Sequence, residues 1–187
     1  LQELLKNAHS LLENVHPLLD LNKPTLSSII PIGGAAVPNK NSPLSKEERG
    51  VYESIISIME EEKVKGKKIV LVSFGTVMDP KTMKEETKKN LMSAFESVDE
   101  AVFFWKVNSS RFFSSDFLPP VNVKNYSWLP QNSLLASGKV DLFISHMGIG
   151  SMTEAAYSGV SLVSIPIFVD QHYNYVCARR LVSPYFV

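Results

Sequence analysis

Between Trp128 and Gln171 the chain concentrates residues able to hold a phosphorylated, hydroxyl-rich ligand. Trp128 offers a flat face for a base to stack upon. Leu129 and Gln131 follow it at once. Gly148, Gly150 and Ser151 form a small-residue turn, with His146 just before it. At such a turn the backbone approaches a phosphate without a side chain in the way. The first N–H groups of the helix that follows carry partial positive charge. Glu154 lies about one turn into that helix, where its carboxylate can accept hydrogen bonds from two ribose hydroxyls. Asp170 and Gln171 supply an acceptor and a mixed donor/acceptor for sugar hydroxyls.

Each residue has a plainer reading beside this one. Trp128 next to a proline is also a packing residue, and His146 a polar strand end. Two glycines alone are weak signals. Glu154 also suits a solvated helix face, and Asp170 an N-cap for the last helix. Thr76, after Gly75, divides evenly between a turn residue and a ligand contact.

The elements around the run make the site geometrically coherent. Asp141 to Ser145 has strand character. The turn leads into a helix carrying Met152, Ala155, Ala156 and Tyr157, with Ser158-Gly159 as its C-cap signal. Val160 to Pro166 reads as a second buried strand. This is a βαβ unit, with a right-handed crossover expected. Ligands of such units sit beyond the C-terminal strand ends, where His146 and Asp170 fall.

Upstream, apolar spacing over Leu1 to Val15 suits one helical face. Residues 16–50 read as linker, broken by Ser28 to Ile32. Ser45-Lys-Glu-Glu48 is a capping box opening a helix to about Lys65. Strands are expected at Lys68–Phe74, Ala101–Val107 and Val121–Trp128. A helix is expected over Pro80–Val98, with Met83, Thr87, Leu91, Phe95 and Val98 on one face. Phe103-Phe104-Trp105 suits sheet core, and Phe112 and Phe113 a loop.

Composition sets bounds. The chain has 187 residues, 44% of them hydrophobic, with 19 basic and 19 acidic residues. That size suits one domain with an appendage. Balanced charge argues against a nucleic-acid partner. The single Cys177 excludes an internal disulfide and a cysteine-rich zinc site, and packs best as a small core residue. No metal-ligand spacing links the histidines, so no metal site is expected.

Taken together, Trp128-x-Pro130-Gln131, Ser145-His146-x-Gly148, Glu154-Ala155 and Asp170-Gln171 resemble the signature of the UDP-glycosyltransferases. The 44-residue span from Trp128 to Gln171 equals that signature's length in the plant members. Its core is shared by the animal UDP-glucuronosyltransferases. Val72-Ser-Phe-Gly75-Thr76 resembles an earlier donor loop of the family, and Ile30 to Gly34 the strand entering its interlobe linker.

The resemblance implies an α/β fold: a Rossmann-like parallel sheet with flanking helices, the C-terminal half of a GT-B fold, incomplete at its C-terminus. Residues 1–34 would be the tail of the N-terminal acceptor lobe, with a strand in the second half of Leu1 to Val15 in place of the helix; 35–50 would be a linker, and 51–187 the UDP-sugar-binding domain. The chain begins at Leu1, which suits a fragment. The donor site would comprise Gly75, Thr76, Trp128, Leu129, Gln131, His146, Gly148, Gly150, Ser151, Glu154, Asp170 and Gln171. The catalytic base would be a His of the other lobe.

The implied reaction is inverting, metal-independent transfer of glucuronate or glucose from UDP-glucuronate or UDP-glucose to a small lipophilic acceptor hydroxyl. The UDP-sugar is a co-substrate, and no cofactor is expected. Partners would be the protein's own N-terminal lobe and, in an oligomeric state left open, further copies of itself. The implied location of the parent protein is the endoplasmic reticulum membrane. One departure bears on turnover. Met147 stands where the family usually has glycine, and either crowds the sugar or points away. A UDP-sugar epimerase-like enzyme and a non-catalytic UDP-sugar-binding lobe are the alternatives.

Overall fold

A computed structural model of the chain describes residues 6–35, 37, 44–75, 83–107, 112–114 and 117–181. Seven strands run in chain order: β1 Leu11–Glu13, β2 Ile29–Pro31, β3 Lys68–Ser73, β4 Ala101–Lys106, β5 Val123–Tyr126, β6 Leu142–Ser145 and β7 Ser161–Ser164. Five α-helices accompany them among the described residues: α1 Lys46–Val64, α2 Glu85–Glu96, α3 Gln131–Ala136, α4 Ile149–Ser158 and α5 Gln171–Leu181.

Strands β3 to β7 form one sheet in the order β5-β4-β3-β6-β7, every pair parallel. Parallel strands buried on both faces need near-continuous apolar runs, and Ile69 to Val72 and Ala101 to Trp105 supply them. Alternate residues sort to the two faces, because the strand period is two. Ile69, Leu71, Phe104, Phe143 and Leu162 face a core that includes Ile55 and Met59 of α1, Leu134 of α3 and Met152 of α4. Val70, Val72, Phe103 and Trp105 face α2. There Phe95 stacks on Phe103 with ring centroids 4.2 Å apart.

Local signals set several boundaries. The Ser45 hydroxyl accepts from Glu48 N at 3.2 Å while Glu48 Oε2 accepts from Ser45 N at 3.1 Å, completing the capping box of α1. Gly159, at φ +69°, ends α4 in the left-handed conformation.

The sequence expectation for α2 needs correction. The helix begins at Glu85, and its buried residues are Lys88, Met92 and Phe95; Thr87 is exposed. Met83, Leu91 and Phe95 of the expected face do pack against the core; Lys88 joins them in place of Thr87, its stem serving as an apolar element. Its ammonium lies 5.6 Å from the centre of the Phe112 ring and 2.6 Å from Glu85 Oε1. Phe112 is buried, packed against Trp105. Helix α3 had no counterpart in the sequence reading.

Near the N-terminus, the strand reading is the one realised over Leu11–Glu13, which pairs in parallel with Ile29–Pro31. This segment rests on α4 and α5. Tyr157 donates to the Gly33 carbonyl at 3.3 Å, and the Tyr173 hydroxyl donates to Asp20 Oδ1. Leu19 packs against the core, and Cys177 is buried. Among the described residues no helix is long and apolar enough to cross a membrane.

Candidate functional site

The C-terminal ends of the five strands lie in one register row. Ser73 pairs with Lys106 on one side and Ser145 on the other; Lys106 pairs with Tyr126 and Ser145 with Ser164. Above this row opens a cavity of about 540 Å³, within the range of small-molecule sites.

Nine of the twelve candidate residues line it: Gly75, Trp128, Leu129, Gln131, His146, Gly148, Gly150, Ser151 and Glu154. Thr76 lies outside the described residues. Asp170 and Gln171 do not line the cavity. Gln171 is buried, and its Oε1 accepts from Ile167 N at 2.8 Å and Phe168 N at 3.1 Å. It shapes its own loop, in which Val169 takes φ +56°. Asp170 is exposed at the start of α5, where its Oδ2 accepts from Asn174 Nδ2 at 2.9 Å.

Helix α4 begins at Ile149, inside the small-residue turn, with Gly148 as its N-cap. No side chain caps it. Its first intrahelical bond from the N-terminus runs from Met152 N to Gly148 O at 2.9 Å. The amides of Ile149, Gly150 and Ser151 therefore point out of the first turn beside the cavity, with the positive end of the helix dipole.

Met147 does not enter the cavity. It sits at φ +67° and is fully buried in the core cluster with Phe143 and Met152. The left-handed backbone sends the side chain inward and presents the next residue, Gly148, to the site. Asn174 Nδ2 holds the Met147 carbonyl at 2.9 Å, and Ser145 Oγ accepts from Met147 N at 3.2 Å.

The imidazole of His146 lies between two glycines. A Cβ at either Gly75 or Gly148 would come within 2.6 Å of its Nε2. Its Nδ1 is buried with no hydrogen-bond partner among the described residues. Burial pushes its pKa below the usual histidine value, more than the nearby Ser73 carbonyl and Asp170 carboxylate raise it; Lys106 adds to the lowering.

Glu154 is half-buried, and that burial pushes its carboxyl above the usual carboxylate range. Gln131 Nε2, donating to its Oε2 at 2.5 Å, and the charge of Lys106 pull the other way. Gln131 also reaches Ser151 Oγ at 3.1 Å, tying α3 to the first turn of α4. Trp128 stands at the rim, 43% exposed.

The sequence reading missed Ser73, Lys106, Glu48 and Asn132, which also line the cavity. A signal existed for two of them. Ser73 and Lys106 are polar residues at the ends of apolar strand runs, where a parallel sheet places its ligand face. Ser73 is 1% exposed and its hydroxyl has no partner among the described residues. Among the described residues no group of three His, Cys, Asp or Glu could hold a metal ion.

A parallel sheet with uncapped helix amides, an aromatic rim and a carboxylate over its C-terminal edge defines the class: a Rossmann-like α/β ligand-binding fold. Os79 from O. sativa, solved in complex with UDP, superposes with a TM-score of 0.56 at 24% identity, over 68% of this chain and 29% of that one. The family model described as UDP-glucoronosyl and UDP-glucosyl transferase matches residues 1–181, and the chain belongs to that family. It is 42% identical over 105 residues to UDP-glucuronosyltransferase 3A1 of Bos taurus, covering 56% of this chain and 20% of the relative. It is 35% identical over 130 residues to the ecdysteroid UDP-glucosyltransferase of Lacanobia oleracea granulosis virus, covering 69% and 27%. The chain thus spans about a fifth to a quarter of the length of these relatives.

Proposed function

We propose that this chain is the UDP-sugar-binding lobe of an inverting glycosyltransferase that moves glucuronate or glucose to a small lipophilic acceptor hydroxyl. One observation carries the reading: the uncapped first turn of α4 opens into the same cavity as Trp128, Gln131 and Glu154. In this reading the diphosphate lies on the amides of Ile149, Gly150 and Ser151, the uracil stacks on Trp128, and Glu154 accepts from the ribose hydroxyls. Asp170 and Gln171, outside the cavity as it stands, are assigned to the sugar end.

The chemistry follows from charge. As the bond to the anomeric carbon breaks, the leaving diphosphate gains negative charge. Helix amides fixed in place stabilise that charge without reorganising, and more strongly in the transition state than in the ground state. Lys106 adds a cation on the same wall. The neutral His146 ring adds a hydrogen-bonding group beside the glycine turn. The base that deprotonates the acceptor belongs to residues 1–34's parent lobe in this reading, as does most of the acceptor pocket. The Met147 side chain lies in the core, so it gives no ground for a non-catalytic lobe. The endoplasmic reticulum membrane is the location this reading carries for the parent protein.

Calorimetry with UDP against ADP tests the donor site. UDP should bind more tightly, and Glu154→Ala should weaken UDP by roughly tenfold or more, the cost of losing a charge-assisted pair of hydrogen bonds. Equal, weak binding of both nucleotides would sink the reading. A panel of UDP-sugars assayed with the full-length protein then separates glucuronate from glucose.

A further inference from the structure

Glu154 receives amides from two consecutive residues of α3. Gln131 Nε2 donates to Oε2 at 2.5 Å. Asn132, with its amide nitrogen turned toward the acid, donates to Oε1 at 3.1 Å and Oε2 at 3.3 Å. The network dictates that orientation, because in the opposite one the Asn132 oxygen faces only acceptors. Both amides line the cavity, as does Glu154. A carboxylate has about four lone-pair sites, so two amide donors fix its direction and still leave acceptor capacity for a ligand.

We propose that Asn132 is a positioning residue of this site: with Gln131 it aims the Glu154 carboxylate and leaves its remaining acceptor capacity to a ribose hydroxyl. The inference rests on the donor-binding reading above. Helix α3 has no side-chain cap of its own, with Pro130 at its N-cap position, so Asn132 is not needed to start the helix. Its hydrogen bonds go instead to the neighbouring helix, across to a half-buried acid.

The arrangement also bears on protonation. Burial favours the neutral acid, whereas the two amides favour the carboxylate. Other groups face the same space. Lys106 from the end of β4 favours ionisation. His146 comes from the end of β6, and Glu48 from α1 is engaged with Ser45 N at 3.1 Å. Only the protein amides act on the carboxylate through directed bonds, so their removal should be read out as a pH effect.

The test titrates UDP calorimetrically into the whole chain from neutral pH down to the ordinary carboxylate range. Asn132→Ala should weaken UDP by about three- to tenfold and move the acid midpoint of binding to higher pH. In a Glu154→Gln background the same substitution should have little further effect, since the pair acts as one unit. Asn132→Asp is the sharper variant. An acid in the first turn of α3 suits the helix dipole, which offsets part of the folding cost of setting two carboxylates together, and a melting curve checks that the variant folds. Yet a second carboxylate against Glu154 should drive the binding midpoint further up and cost more affinity than the alanine. Wild-type affinity and an unmoved midpoint in both variants would overturn the proposal. Failure of the unsubstituted chain to bind UDP would instead remove the donor reading itself.

Discussion

Gly75 approaches the His146 imidazole so closely that a methyl on its Cα would lie 2.6 Å from Nε2. Its φ of +79° adds a backbone reason for glycine. Gly75→Ala should therefore cost about 1–3 kcal/mol of stability and displace the imidazole from the cavity wall. UDP affinity should fall with it. Gly138 provides the control: φ is +71°, but nothing lies within 4 Å of an added Cβ. Gly138→Ala should cost only the backbone term, about 1 kcal/mol, and leave UDP binding unchanged. Urea denaturation and calorimetry on both variants check the pair.

Glu154 sets binding against stability. Its pKa is raised by burial, so the folded chain holds this proton more tightly than the unfolded chain. The ionised form then opposes folding. That penalty is absent below the unfolded pKa, grows as pH rises through the folded pKa, and is complete above it. Glu154→Gln should raise the thermal midpoint at neutral pH, by no more than about 1 kcal/mol in stability. The gain should shrink on acidification, while UDP binding weakens at neutral pH. Melting curves across pH measure the first effect and calorimetry the second.

Met147 inverts a usual ordering. Truncating a buried methionine to alanine costs about 2–5 kcal/mol. Here alanine would keep the left-handed backbone at φ +67°, which glycine adopts freely. Met147→Gly should thus be at least as stable as Met147→Ala, despite burying less. Equilibrium unfolding of the two variants decides it; an alanine variant clearly more stable than the glycine one would contradict the geometry.

His146 should titrate below the usual histidine value, because burial outweighs the Ser73 carbonyl and Asp170 carboxylate. The linked stability is fully present above the unfolded pKa and is lost as pH falls through to the folded pKa. Saturating UDP should raise the midpoint by bringing phosphate charge near the ring. Imidazole proton shifts followed by NMR, with and without UDP, report both effects. A midpoint unmoved by UDP would place the diphosphate elsewhere.

Much of this was legible in the chain. The apolar runs at Ile69–Val72 and Ala101–Trp105 announced buried parallel strands, and Ser45 with Glu48 announced the start of α1. The glycine turn announced the start of α4. These signals are local: they depend on a period of two, a cap or a turn, and survive without knowledge of neighbours. The expected stripe on α2 held at Leu91 and Phe95 and missed Lys88, because that residue buries its stem against an aromatic ring contributed from elsewhere. Helix α3 was missed because six residues behind a proline hold too few turns to show a period.

The sequence by itself therefore determined the βαβ order, the alternation of faces and the membership of most of the cavity wall. Only the tertiary structure decided which way three residues turn. Met147 goes into the core, Gln171 into its own loop, and Asn132 across to Glu154. It also brought Ser73 and Lys106 into one row with Ser145. Those outcomes depend on the sign of φ at one residue and on the register between distant strands. Neither is a property of neighbouring residue types, so no spacing in the chain could carry them.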